Sequence, residues 1–117
     1  MAENITVDPK DAEDNKIMAI LAYLNILVLV PIFAAKESPF ARFHANQGLV
    51  LLIASIALYF VFFILAMVLI FIIPALVSMI YWILYLGIGV FMVLGIINAV
   101  KGEAKELPLI GKIKILK

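Results

Sequence analysis

The sequence predicts an all-α integral membrane protein with three transmembrane helices, the second and third forming an antiparallel hairpin between an acidic N-tail and a basic C-tail. Three observations carry that reading. Hydrophobic residues make up 67% of the 117 residues and charged residues only 15%, against roughly 45–50% and about 25% in average soluble proteins. A domain this small buries only about two-thirds of the surface its unfolded chain exposes, so the surplus must face lipid. Finally, charge is confined to the two ends and the connection at 36–42: 17–35 and 43–100 contain no Asp, Glu, Lys or Arg. An uncharged apolar run of about 18 residues can cross the hydrocarbon of a bilayer. The second run, as one helix at 1.5 Å per residue, would extend roughly 87 Å, so it must double back.

The segments divide as 1–16, an acidic tail and helix start; 17–100, the transmembrane domain with helices over about 17–35, 46–73 and 76–100; and 101–117, a basic tail. In the tail, Asp8 caps a helix, Pro9 suits its first position and Asp11 favours the positive end of the helix dipole. This helix is expected to run to about Val30, where Pro31 ends or kinks it. The acidic start ahead of the apolar run argues against a cleaved signal peptide, which begins basic. Ser38-Pro39 is a turn signal, and the second helix starts between Pro39 and His44. Pro74 is the natural point of reversal, with Tyr81, Trp82 and Tyr85 as interfacial anchors near it. Leu107-Pro108 stops any helix entering the C-tail, and "IKIL" reads as a short extended or interfacial piece.

Three crossings place the connection and the C-tail on one side. That side holds Lys36, Arg42 and five tail lysines, against Lys10 and Lys16 on the other. The excess of Lys and Arg predicts a cytoplasmic connection and C-tail, with the N-tail outside. A merely re-entrant first block, or a fourth crossing within the long block, would flip one end.

The polar residues offer little chemistry. Cysteine is absent and His44 is the single histidine, which leaves no thiolate or multi-histidine metal site. No phosphate-binding glycine loop, serine nucleophile motif or intramembrane carboxylate pair occurs. The expectation is therefore no enzyme activity, no cofactor, no metal, no nucleic acid and no identified small-molecule substrate. His44, Gln47, Gly48 and Ser55 share a helix face. Their bland reading is a headgroup-layer start to the second helix. Asn25, Ser55, Ser78 and Asn98 are the intramembrane polar groups, and a cluster of His44, Gln47 and Asn98 is a packing expectation. Gly87, Phe91, Gly95 and Asn98 make one narrow face where helices can approach closely, within the bundle or with a partner. Expected partners are the bilayer and either further copies of the chain or another membrane protein. The lysine tail suits anionic lipid as well as topology.

Two stretches, "SPFARFHANQG" and "NAVKGEAKELPLIGK", resemble a family of small bacterial and archaeal membrane proteins of unknown function. That family is distantly related to the chloroplast inner-envelope import component (the Tic-twenty family), and the resemblance runs from Lys16 onward. It implies an all-helical protein of the prokaryotic plasma membrane and, through the plastid relatives, a protein-conducting assembly. Those relatives are described with four crossings and carry a transit peptide. The hallmark connection of the family matches Ser38, Pro39, Phe40, Phe43, His44 and Gln47, with Arg42 between them; its C-terminal signature matches Gly102, Pro108 and Gly111. The functional expectation is a non-enzymatic, helix-binding subunit of a membrane complex related to translocation or insertion. The alternative is a small oligomeric channel or transporter lined by His44, Gln47, Ser55 and Asn98.

Overall fold

The computed structural model describes residues 6–116. Its frame is a hairpin of two long helices, α4 (Pro39–Leu69) and α5 (Pro74–Val100). Around one end of it pack α1 (Pro9–Asp14), α2 (Lys16–Leu21), a 3₁₀ turn (Asn25–Val28) and α3 (Leu29–Ala34). Among the described residues two helices, not three, are long and apolar enough to cross a membrane. No residue among them is in a strand.

The long helices begin where local chemistry dictates. Ser38 caps α4, its Oγ accepting from Ala41 N at 3.0 Å, and Pro39 takes the first helical position, where no N–H is needed. The helix starts seven residues earlier than the expected 46 and ends at Leu69 rather than 73. Its stop is made by Pro74 alone. Proline pushes the preceding residue out of the helical region, and Ile73 sits at φ −135°, ψ 73°. Ile73 N instead closes back on the Leu69 carbonyl at 2.7 Å. The turn is therefore wholly apolar, with Phe71 88% exposed. Below it, Tyr81 packs edge-on to Phe62 at 4.7 Å and stacks on Tyr59 at 6.4 Å, tying the two helices near the reversal.

Helix α5 ends in a Schellman motif. Glu103 N donates to Asn98 O at 2.9 Å and Gly102 N to Ala99 O at 3.1 Å, with Gly102 at φ +73°. That left-handed position is the reason for glycine here.

The first apolar block departs from expectation. Instead of one crossing helix over 17–35 it forms three short pieces of six, four and six residues. Six helical residues rise only about 9 Å, too little for a hydrocarbon core of about 30 Å. The break lies at Leu24 (φ −104°, ψ 56°) and Asn25. Asn25 is at φ +60°, and asparagine tolerates that left-handed conformation better than most residues. Pro31 neither ends nor kinks the helix but sits in the first turn of α3, where its missing N–H costs nothing.

A small face drives this hairpin onto the long helices. Ala19, Ala22 and Tyr23 recur at three and four residues and are all buried. Ala22 lies against Gly48 of α4, where any Cβ would collide with the Ala22 backbone carbonyl. Tyr23 lies against Gly95 of α5, where a Cβ would run into the phenol ring. Two glycines, one per long helix, thus form the notch that receives the N-terminal hairpin. Gly95 therefore serves a contact within the chain, while a Cβ at Gly87 would meet nothing within 4 Å.

The block turns back on itself, so its two ends meet. Asp11 of α1 accepts from Ser38 Oγ at 2.6 Å and from Phe40 N at 3.1 Å. The N-terminal segment and the 36–46 connection thus share one end of the molecule, opposite the Pro74 turn. This contact puts the N-terminal segment and the connection at the same end of the α4–α5 hairpin, not at opposite ends as a third spanning helix over 17–35 would require.

Candidate functional site

The hallmark connection is not a surface patch. It is the hub on which both terminal segments close. His44, buried and 0% exposed, faces Tyr23 of the N-terminal hairpin and Glu103 of the C-tail. Its Nδ1 lies 2.6 Å from the Tyr23 hydroxyl and its Nε2 lies 2.8 Å from the Glu103 carbonyl. A carbonyl can only accept, so Nε2 carries a hydrogen and donates it. In the neutral ring the Tyr23 hydroxyl then donates to Nδ1. Phe40 packs edge-on against the imidazole with ring centroids 4.8 Å apart, and Phe43 does so at 5.3 Å.

Gln47, one turn further along α4, reads two backbone groups of the tail. Its Nε2 donates to Gly111 O at 2.9 Å and its Oε1 accepts from Leu107 N at 2.8 Å. Asn46 does the same further along: Nδ2 donates to Ile113 O at 2.8 Å, and Oδ1 accepts from Ile115 N at 2.6 Å and Leu116 N at 3.0 Å. Three side chains of α4, His44, Asn46 and Gln47, therefore hydrogen-bond the tail through its backbone groups. Residues 111–116 lack regular structure among themselves, so their amides and carbonyls find partners on α4 instead of in a helix or sheet. The asparagine and glutamine are suited to this task because each amide offers a donor and an acceptor in one plane.

At the N-terminal side, Asp11 is the counterpart hub. Besides Ser38 and Phe40 it accepts from Asn15 Nδ2 at 2.9 Å. Arg42 donates from Nη1 to Ile32 O at 3.3 Å, tying the end of α3 to α4. The result is a polar clamp of four segments around a buried core of Tyr23, Phe40, Ala99 and Leu107.

The expected residues fall into place unevenly. Ser38, Pro39, Arg42, His44 and Gln47 converge in the clamp. Phe40 is 1% exposed and belongs to the core rather than to an interfacial surface. The headgroup-layer reading of His44 and Gln47 fails for the same reason, since both are buried. Asn98 contributes its backbone carbonyl to the Schellman motif, while His44 and Gln47 bond to the tail backbone. Ser55 Oγ is satisfied locally by Leu51 O at 2.7 Å. Asn25 sits at the exposed hairpin tip. Pro108 and Gly111 shape the tail turn, with Gly111 pressed against Glu106 and Leu107. Sequence reasoning missed Asn46, Tyr23 and Asp11. Only the adjacency of Asn46 to Gln47 hinted at a role, since its partners lie 67–70 residues away.

Most polar side chains of the clamp bond within it, while Glu106 Oε2 is buried without a hydrogen-bond partner among the described residues. No group of three or more His, Cys, Asp or Glu among the described residues is placed to hold a metal ion.

Residues 14–116, which include both long helices and the tail but not Asp11, match the profile of the magnetosome magnetite crystal formation proteins. The chain belongs to that family. It is 34% identical over 94 residues to magnetosome protein MmsF of Paramagnetospirillum magneticum, covering 80% of this chain and 79% of the relative. It is 30% identical to magnetosome protein MamF of Magnetospirillum gryphiswaldense, covering 99% of each. A MamF from P. magneticum is 29% identical over 95% of each chain. No solved structure matches the chain. The expectation of a small prokaryotic membrane family thus holds, and that family is the magnetosome magnetite crystal formation family. None of these matches carries the kinship to the plastid import component.

Proposed function

We propose that this protein is a non-enzymatic component of a magnetosome membrane that acts in magnetite crystal formation. The hairpin α4–α5 anchors it, and the clamp end is the part presented at the membrane face. The observation that carries this reading is the family match over 14–116, which includes every residue of the α4 hub and its tail partners. The clamp supports a structural role: it holds two terminal segments in a fixed arrangement over the membrane surface.

The fold supports an orientation argument that does not use the three-crossing count. Both terminal segments share the clamp end, so every described Lys and Arg lies there. The Pro74 turn has none, since 43–100 is uncharged. The positive-inside rule then puts the clamp end, N-terminal segment included, on the cytoplasmic face.

Binding of another membrane helix remains the companion reading, supported by the large apolar faces that α4 and α5 leave uncovered. A role in translocation rests on the resemblance alone. A conducting path is less favoured, because His44 and Gln47 are closed off by the tail and Ser55 is bonded within its own helix.

The test is deletion of the gene in its host, with crystals measured by electron microscopy and the intact chain restored from a plasmid. Altered crystal size or shape that the wild-type chain rescues is expected. Unchanged crystals in the deletion strain would refute the proposed role.

A further inference from the structure

The C-tail does more than close the clamp. Gln47 grips both Leu107 N and Gly111 O, so the intervening turn projects from a pinned base. At its tip Leu109 is held at φ +67°, a left-handed conformation that a leucine adopts only at a cost. Its side chain is 94% exposed. A strained, fully exposed leucine is poorly placed in water but well placed in lipid.

Leu109 and Ile110 roof a crevice of about 270 Å³ between α4 and α5, whose walls include Leu58, Leu84 and Phe91. The one hydroxyl in it, on Ser55, is taken up by Leu51 O. Gly87 forms part of the floor, and the space a side chain would take there is empty. Exposed Lys112 and Lys114 follow Ile110 by two and four residues, within chain reach of the crevice edge that Ile110 lines. The nearby acids are Glu103, which pairs with Lys105 at 3.4 Å, and half-buried Glu106, packed against Gly111.

We propose that this crevice seats an acyl chain of one anionic phospholipid from the clamp-side leaflet, its headgroup held by Lys112 and Lys114. Apolar walls and two exposed lysines a few residues beyond the lining Ile110 together match an amphiphile of that charge. Basic sites beside transmembrane helices bind anionic headgroups in this manner. The proposal rests on the membrane embedding above but not on the role in crystal formation.

The test is native mass spectrometry of the full-length protein, taken in mild detergent from nanodiscs of equal phosphatidylglycerol and phosphatidylcholine. The wild type is expected to retain one phosphatidylglycerol, at about ten times the frequency of phosphatidylcholine. K112Q/K114Q should bring the two lipids to near parity while keeping the fold. Gly87→Leu, which fills the floor, should abolish retention of both. Equal retention of the two lipids by the wild type would overturn the proposal, as would undiminished selectivity in K112Q/K114Q. A wild-type dimer that Gly87→Leu converts to monomer, without bound lipid, would assign the crevice to a second copy and also overturn it. A chain recovered in the soluble fraction would overturn the embedding itself, a failure distinguishable from loss of lipid selectivity alone.

Discussion

Replacing Gln47 by leucine separates a clamp from a passive helix start. The side chain is 1% exposed, and leucine is close to it in size, so shape is largely kept. What is lost is both hydrogen bonds to the tail, at 2.9 and 2.8 Å. Leu107 is 2% exposed and Gly111 is also buried, so neither the Leu107 N–H nor the Gly111 carbonyl gains easy access to water. Each buried polar group left unpaired costs about 1–3 kcal/mol, so the docked tail should lose roughly 2–6 kcal/mol. Even the lower figure raises the open population about 30-fold, at tenfold per 1.4 kcal/mol. Limited trypsin digestion in detergent reads that population, because cleavage follows transient opening when closing is fast. Lys105, Lys112 and Lys114 are the cleavage points. Trp82, far from the clamp and beside Tyr85, should keep its fluorescence, showing that the hairpin survives. Wild-type cleavage rates in the variant would refute the account of the tail.

Other substitutions probe the joints separately. Gly95→Ala places a methyl in the Tyr23 ring and should destabilise by about 1–3 kcal/mol, whereas Gly87→Ala should be neutral or slightly stabilising; thermal unfolding in detergent compares the two. Asp11→Ala removes acceptors from Ser38, Phe40 and Asn15. It should free the N-terminal segment, seen as faster amide exchange at Phe40 with little change in α5. Gly102→Ala strains a left-handed position and should cost about 1–2 kcal/mol, measured by the same unfolding assay.

The sequence shows the local part of this design well. Proline positions, the Ser38-Pro39 turn signal and the uncharged run 43–100 locate both long helices, and the Asp8 cap locates the short α1. Asp8 accepts from Lys10 N at 3.0 Å, as its place before Pro9 implies. The first block misleads because counting apolar residues is blind to a backbone reversal at Asn25. Its polarity suggests an intramembrane hydrogen bond, whereas its observed part is a left-handed conformation. The clamp is harder still to read. His44 is bonded to residues 21 and 59 positions away, and its neighbours to the tail at still greater separation. Their targets are backbone groups, which leave no complementary pattern in the letters. A polar cluster at a helix start reads as solvated unless the tail that covers it is seen.

The central claim is that both terminal segments and the connection gather at one end of an apolar hairpin. Because the chain contains no cysteine, single cysteines at exposed Glu13, Glu37 and Ile72 can be labelled with an impermeant maleimide in sealed vesicles of known orientation. Positions 13 and 37 are predicted to react from the same side, and position 72 from the other. Reaction of 13 and 37 from opposite sides would restore a third crossing and contradict the clamp.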